Sequence, residues 1–184
     1  MIGFLAVAAV VIVAPGPDFA LTLKNTVRGG GVATAFGVVT GQVVWVVAAA
    51  AGVAALLAAS HPAFVALRLV GAAYLVWLGL ATLLARGGHT PRHGVGSPYR
   101  QGLLSNLANP KMPVFFISLL PQFGSSFVAL TAHGLVFVGL TFCWLTVVSR
   151  GAGMLLVPRV RRIADVVTGV VLVALGLRLA IERR

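Results

Sequence analysis

Long apolar stretches alternate along this chain with short polar gaps. A helix that crosses a bilayer needs about 20 mostly apolar residues, because lipid offers a backbone group no partner outside its own helix. Six runs approach that length: Ile2–Leu23, Val32–Ala59, Ala63–Ala85, Gly102–Phe123, Phe127–Ser149 and Ile163–Ile181. They predict an all-α integral membrane protein with a single transmembrane domain over residues 1–184. The polar stretch Arg86–Gln101 is rich in Gly, Pro and His and has no periodicity. It reads as a loop over residues 86–100 that joins half-repeats of about 1–85 and 101–184, three runs each. The first run lacks a positive leading region, and Pro15-Gly16-Pro17-Asp18 stands where a cleavage site of small residues would be. It reads as mature structure and not as a signal peptide.

Composition agrees with the pattern. The 184 residues are 59% hydrophobic and 9% charged, where a soluble domain carries about 25% charged residues. Fourteen Lys and Arg against three Asp and Glu give a net charge of +11. In a soluble chain that excess would point to nucleic acid. Here the basic residues sit in gaps between apolar runs and form no continuous face, so no nucleic-acid partner is expected and they read as topology signals. Nine of them (Lys24, Arg28, Arg86, Arg92, Arg100, Arg150, Arg159, Arg161 and Arg162) follow the first, third and fifth runs, against four (Arg68, Arg178, Arg183 and Arg184) on the other side. The bias places those three connections in the cytoplasm and both termini outside. The lone cysteine, Cys143, excludes an internal disulfide, a CxxC redox pair and a cysteine-based zinc site.

The halves carry a weak internal repeat. Tyr74–Leu80 set against Val171–Leu177 matches Leu75, Val76, Leu78, Gly79 and Leu80 to Leu172, Val173, Leu175, Gly176 and Leu177. Three runs per half turn the second copy upside down, which is the inverted repeat of many secondary transporters and predicts a midplane site between the halves.

Two places look built for that site. Pro15 and Pro17 lack N–H groups, and their rings clash with carbonyls one turn back, near Val11 and Val13, while Gly16 loosens the backbone between them. The first helix should therefore break, with Asp18 capping a half-helix that begins at Phe19. Asp18 is the only carboxylate deep in any run; burying it ionised at a helix centre costs about 2.5–3.5 kcal/mol on insertion scales. It reads as a proton and substrate group, with simple capping near an interface as the alternative. In the fourth run, Asn109-Pro110-Lys111 should start a second half-helix, its positive dipole end inside the protein and Lys111 adding a full charge. A zwitterion fits the pair, its carboxylate at Asn109 and Lys111 and its ammonium at Asp18. The alternatives are an Asp18–Lys111 salt bridge holding the halves together, or a Lys111 that snorkels to the surface.

Ala33, Gly37 and Gly41 recur at four-residue spacing in the second run. They read as a helix-packing face that could serve a homodimer as easily as internal contacts, and Gln42 beside them either packs or lines a polar path. His89 and His93 are separated by Pro91, which prevents the helix that would place them on one face, so no metal site is expected there. No Ser-His-Asp set, acidic pair or glycine-rich phosphate loop is present, and neither enzyme activity nor a cofactor is expected.

Taken together, Ala14-Pro-Gly-Pro-Asp18, the Gly-rich second run, Gly71-Ala-Ala-Tyr-Leu-Val-Trp-Leu-Gly79, Gln101-Gly-Leu-Leu-Ser-Asn106, Asn109-Pro-Lys111, and Phe115-Phe116 leading to Leu120-Pro-Gln-Phe123 resemble the LysE/RhtB amino-acid exporters. The resemblance covers nearly the whole chain. It implies a multi-pass bacterial inner-membrane protein of about six transmembrane helices, of which the prolines above already give broken first and fourth helices, that exports amino acids using the proton gradient. It marks Pro15, Gly16, Pro17 and Asp18, and Asn109, Pro110 and Lys111. The expected function is export of a small zwitterionic amino acid, with the proton as coupling ion. A heavy-metal or cation exporter and a non-transporting membrane scaffold are the alternatives. The lone cysteine and the absence of paired intramembrane histidines weigh against a soft-metal site.

Overall fold

The computed structural model describes residues 1–14, 16–84, 96–124, 126–150 and 158–181. Every regular element among these residues is helical. Helix α1 (Ile2–Val13) ends one residue before Ala14, and α2 (Pro17–Thr26) resumes at a 56° bend. A turn follows in which Gly29 adopts φ 76°, a conformation that favours glycine. Helix α3 (Gly31–Ala59) has 29 residues, about 43 Å at 1.5 Å per residue. The remaining elements are α4 (His61–Leu84), α5 (Pro98–Leu107), α6 (Lys111–Val114), α7 (Phe127–Arg150) and α8 (Pro158–Ile181).

Beyond α6 the chain continues through a π-helical turn, Phe115–Leu119, and a 3-10 turn, Leu120–Phe123. The cause lies in the sequence: Pro121 has no N–H to give the Ile117 carbonyl, and its ring clashes with that carbonyl, so the α ladder cannot continue. The irregular segment is braced by aromatic rings. Phe115 stacks on Phe137 of α7 with centroids 4.2 Å apart, and Phe116 meets the same ring edge-on at 5.5 Å.

Among the described residues three helices are long and apolar enough to cross a membrane, within Gly31–Gly52, Pro62–Leu84 and Phe127–Arg150; α1 and α2 make a fourth if the bent pair is one span. Six runs are expected, and the difference lies in the fourth and sixth. Asn109-Pro110 divides the fourth run into short pieces, and in α8 the apolar helix among the described residues is Gly169–Ile181. The apolar helices also present side chains outward: Val44, Val47, Trp77, Leu135 and Val147 are exposed, as suits a surface that faces lipid. The polar loop 86–95, with His89 and His93, and the terminal Arg183 and Arg184 lie outside the described residues.

Glycines set how closely the helices approach. Helix α5 packs on α3, where a Cβ at Gly37 would collide with the backbone of Tyr99 and Leu103, and one at Gly102 with Thr34. Gly37 and Gly41 thus serve packing within the chain, while Ala33, at the same spacing, is exposed. Helix α4 packs on α8 in a reciprocal way. A Cβ at Gly79 would lie 2.7 Å from Gly169 O and 2.7 Å from Val173, and one at Gly176 would lie 2.8 Å from Ala72 O and 2.8 Å from Val76. Gly79 and Gly176, and likewise Val76 and Val173, are the positions that correspond in the internal repeat.

Candidate functional site

The break in the first helix is built from covalent restrictions. Pro17 occupies the first helical position of α2, where its missing N–H costs nothing, and Gly16 is the cap residue, with extended backbone (φ −144°, ψ −174°). The half-helix therefore begins two residues earlier than expected, at Pro17 and not Phe19, and Asp18 is not its cap. The side chain of Asp18 is free to reach across to another helix, while its charge still lies within the first turn, where the dipole favours an anion. Pro15 lies outside the described residues.

Asp18 is buried and accepts three hydrogen bonds. Ser105 Oγ donates to Oδ1 at 2.7 Å, and Asn106 Nδ2 and Asn109 Nδ2 donate to Oδ2 at 2.8 and 3.0 Å. All three donors come from α5 and the residues just after it. Asn109 works at both ends, because its Oδ1 also accepts from the Lys111 N–H at 3.0 Å. That bond satisfies a donor at the start of α6, the capping role expected of Asn109, although the helix begins at Lys111 with the exposed Pro110 in the cap position.

Lys111 neither bridges Asp18 nor reaches the surface. Its ammonium, on a buried side chain, donates to the carbonyls of Val11 at 2.8 Å and Ala14 at 3.3 Å. These carbonyls belong to the broken end of α1, where helical partners are missing; the residue that would have paired with Val11 O is Pro15, which has no N–H. The cation also meets the negative end of the α1 dipole. Each broken helix thus satisfies the other: the fourth-run lysine closes the first break, and the first-run aspartate gathers the polar groups before the second.

Between these groups lies a cavity of about 30 Å³, enough for on the order of two waters. Asp18, Gln42, Asn109, Lys111 and Thr141 contribute to its wall, together with apolar side chains including Val11, Ile12, Val38, Met112 and Phe137. Asp18, Gly16, Asn109, Lys111 and Gln42 are therefore brought together at one place, as neighbours in space from three helices, α2, α3 and α6, and the segments beside them. Ser105, Asn106 and Thr141 were not anticipated. A signal for Asn106 was present in the sequence: it precedes Asn109 by one helical turn, an unusual polar spacing inside an apolar run. Gly41 touches the same cluster, since a Cβ there would lie 2.8 Å from Asn106 Oδ1. Among the described residues no group of three or more His, Cys, Asp or Glu side chains could hold a metal ion.

Comparison with known proteins gives a family. Residues 9–183 match the family described as LysE type translocator. The uncharacterized membrane protein YrhP of Bacillus subtilis is 30% identical over 140 residues, covering 67% of each chain. PA4757 of Pseudomonas aeruginosa, also an uncharacterized membrane protein, is 34% identical over 151 residues, 75% of this chain and 67% of that one. The leucine efflux protein of Salmonella typhimurium is 36% identical over 129 residues, 65% of this chain and 61% of its own length. No solved structure matches. With a match spanning all but its first eight residues and its last, this chain of apolar helices is a membrane protein that belongs to the LysE-type translocators.

Proposed function

We propose that this protein is a secondary active transporter that exports amino acids or close derivatives across the bacterial inner membrane, coupled to protons. The six apolar runs cross the membrane as two inverted three-helix repeats, and the substrate binds between the two broken helices. Membership of the translocator family and the leucine efflux relatives support the substrate class. The reciprocal packing of Gly79 on Val173 and Gly176 on Val76 supports the two-fold relation of the halves. The observation that carries the reading is the carboxylate of Asp18, buried at one helix break and hydrogen-bonded to residues at the other.

In this mechanism Asp18 alternates between a proton and attraction of the substrate ammonium, as an antiporter requires of a group for which two ligands compete. Its three donors hold the charge in place while it is ionised. The carboxylate of the substrate goes to Lys111. An ammonium has three protons, two are engaged by Val11 O and Ala14 O, and the third is available to an anion in the cavity. The cavity is too small for an amino acid in this state, so binding requires the two halves to part, as alternating access demands.

Proteoliposomes preloaded with amino acids test the coupling. An imposed proton gradient should drive amino-acid movement in wild type and not in Asp18→Asn. Equal gradient-driven movement in both would contradict the role given to Asp18.

A further inference from the structure

Gln42 lines the cavity from α3 and is 1% exposed, yet its amide is almost without partners. No donor reaches Oε1. Its Nε2 has only the thioether sulfur of Met112, a weak acceptor, at 3.9 Å. A buried amide in this condition is unfavourable unless something else completes its hydrogen bonds.

The other polar groups of the cavity are already engaged. Asp18 has its three donors, Asn109 is used at both ends, and Thr141 Oγ1 donates to Phe137 O at 2.9 Å. What the cavity still offers is an acceptor in the Gln42 carbonyl oxygen, and donors in the third proton of Lys111 and in Gln42 Nε2, whose two protons meet only the Met112 sulfur. An ammonium and a carboxylate on one carbon complement this acceptor and these donors, and the largely apolar remainder of the wall gives a side chain no charged partner.

We propose that Gln42 is a recognition residue for the substrate's α-amino group: Oε1 accepts a hydrogen bond from the ammonium, while the charge of Asp18 attracts it from the same cavity. The assignment rests on the reading of the protein as an amino-acid exporter. It makes Gln42 the residue by which the transporter distinguishes an amino acid from the same acid lacking the amine. In the empty state its polar ends are left to water, for which the cavity has room.

The test compares transport of leucine and of 4-methylpentanoate, the same skeleton without the amine, in proteoliposomes bearing wild type, Gln42→Met or Gln42→Glu. Gln42→Met keeps the length of the side chain and removes the acceptor. It should raise KM for leucine about ten- to hundredfold, the range of one hydrogen bond to a charged group, and change transport of 4-methylpentanoate less than about threefold on the same scale. Gln42→Glu, which keeps an acceptor oxygen at that place, should stay near wild type for leucine. Unchanged leucine KM in Gln42→Met, or an equal loss for both compounds, would overturn the assignment while leaving the exporter reading intact. Absence of leucine movement by wild type would overturn both. Should Gln42→Met fail to reach the membrane, Gln42→Asn, which withdraws the amide by one methylene, is read against the same two outcomes.

Discussion

Lys111 holds the first helix break closed, and Lys111→Met measures how strongly. The substitution keeps a long unbranched side chain and removes two hydrogen bonds, to Val11 O at 2.8 Å and Ala14 O at 3.3 Å. A hydrogen bond to a charged group contributes about 1.5–3 kcal/mol, so the pair is worth about 3–6 kcal/mol. Loss of the cation at the α1 C-terminus adds up to about 2 kcal/mol in a buried geometry. Removing the cost of burying an ammonium acts in the opposite direction, which favours the lower end, about 3 kcal/mol. For a chain of this size that corresponds to a fall in Tm of roughly 6–12 °C. The assay is thermal unfolding of the detergent-solubilised protein, followed by its size-exclusion profile. A Tm within about 2 °C of wild type, under 1 kcal/mol on the same scale, would refute the argument that these carbonyls depend on the ammonium.

Other outcomes follow from the same geometry. Asp18→Ala strands the donors of Ser105, Asn106 and Asn109 at about 1–3 kcal/mol each, so it should unfold or fail to insert, whereas Asp18→Asn can keep an oxygen toward the two amides and an N–H toward the Ser105 hydroxyl; membrane abundance and Tm of the two variants check the contrast. Gly41→Ala should displace Asn106 from Asp18, because the new Cβ would lie 2.8 Å from Asn106 Oδ1 and 2.9 Å from its Cβ; transport should fall at unchanged membrane abundance. Gly79→Val sets a branched side chain against the backbone of Gly169 and Val173, and should lower stability by about 1–3 kcal/mol or more, read as a lower Tm.

The helix breaks were legible in the sequence because proline acts locally: Pro15, Pro17 and Pro110 forbid particular hydrogen bonds whatever surrounds them. Pro121 carried the same kind of signal for the π and 3-10 turns. Asp18 was legible too, since a lone carboxylate in an apolar run demands a reason. Its partners were legible only in part: Asn109 and the spacing of Asn106 before it could be read, but Ser105 and Asn106 reach Asp18 through the packing of α5 on α3, whose outcome the sequence alone does not place. The destination of Lys111 was hidden for the same reason. A charge beside Asn109 suggested a partner in Asp18, but the stronger need lay in the carbonyls of α1. Counting apolar runs also passes over breaks within them: among the described residues three helices, or four with the bent pair taken as one, have spanning length.

The account stands most directly on amino-acid release from living cells. Cells overloaded by dipeptide feeding and carrying empty vector, wild type or Asp18→Asn should differ in one way. Wild type should release amino acids selectively into the medium, and Asp18→Asn, present in the membrane at a similar level, should not. Release by Asp18→Asn equal to wild type would contradict the place of Asp18 on the transport path. No difference among all three would contradict the exporter itself.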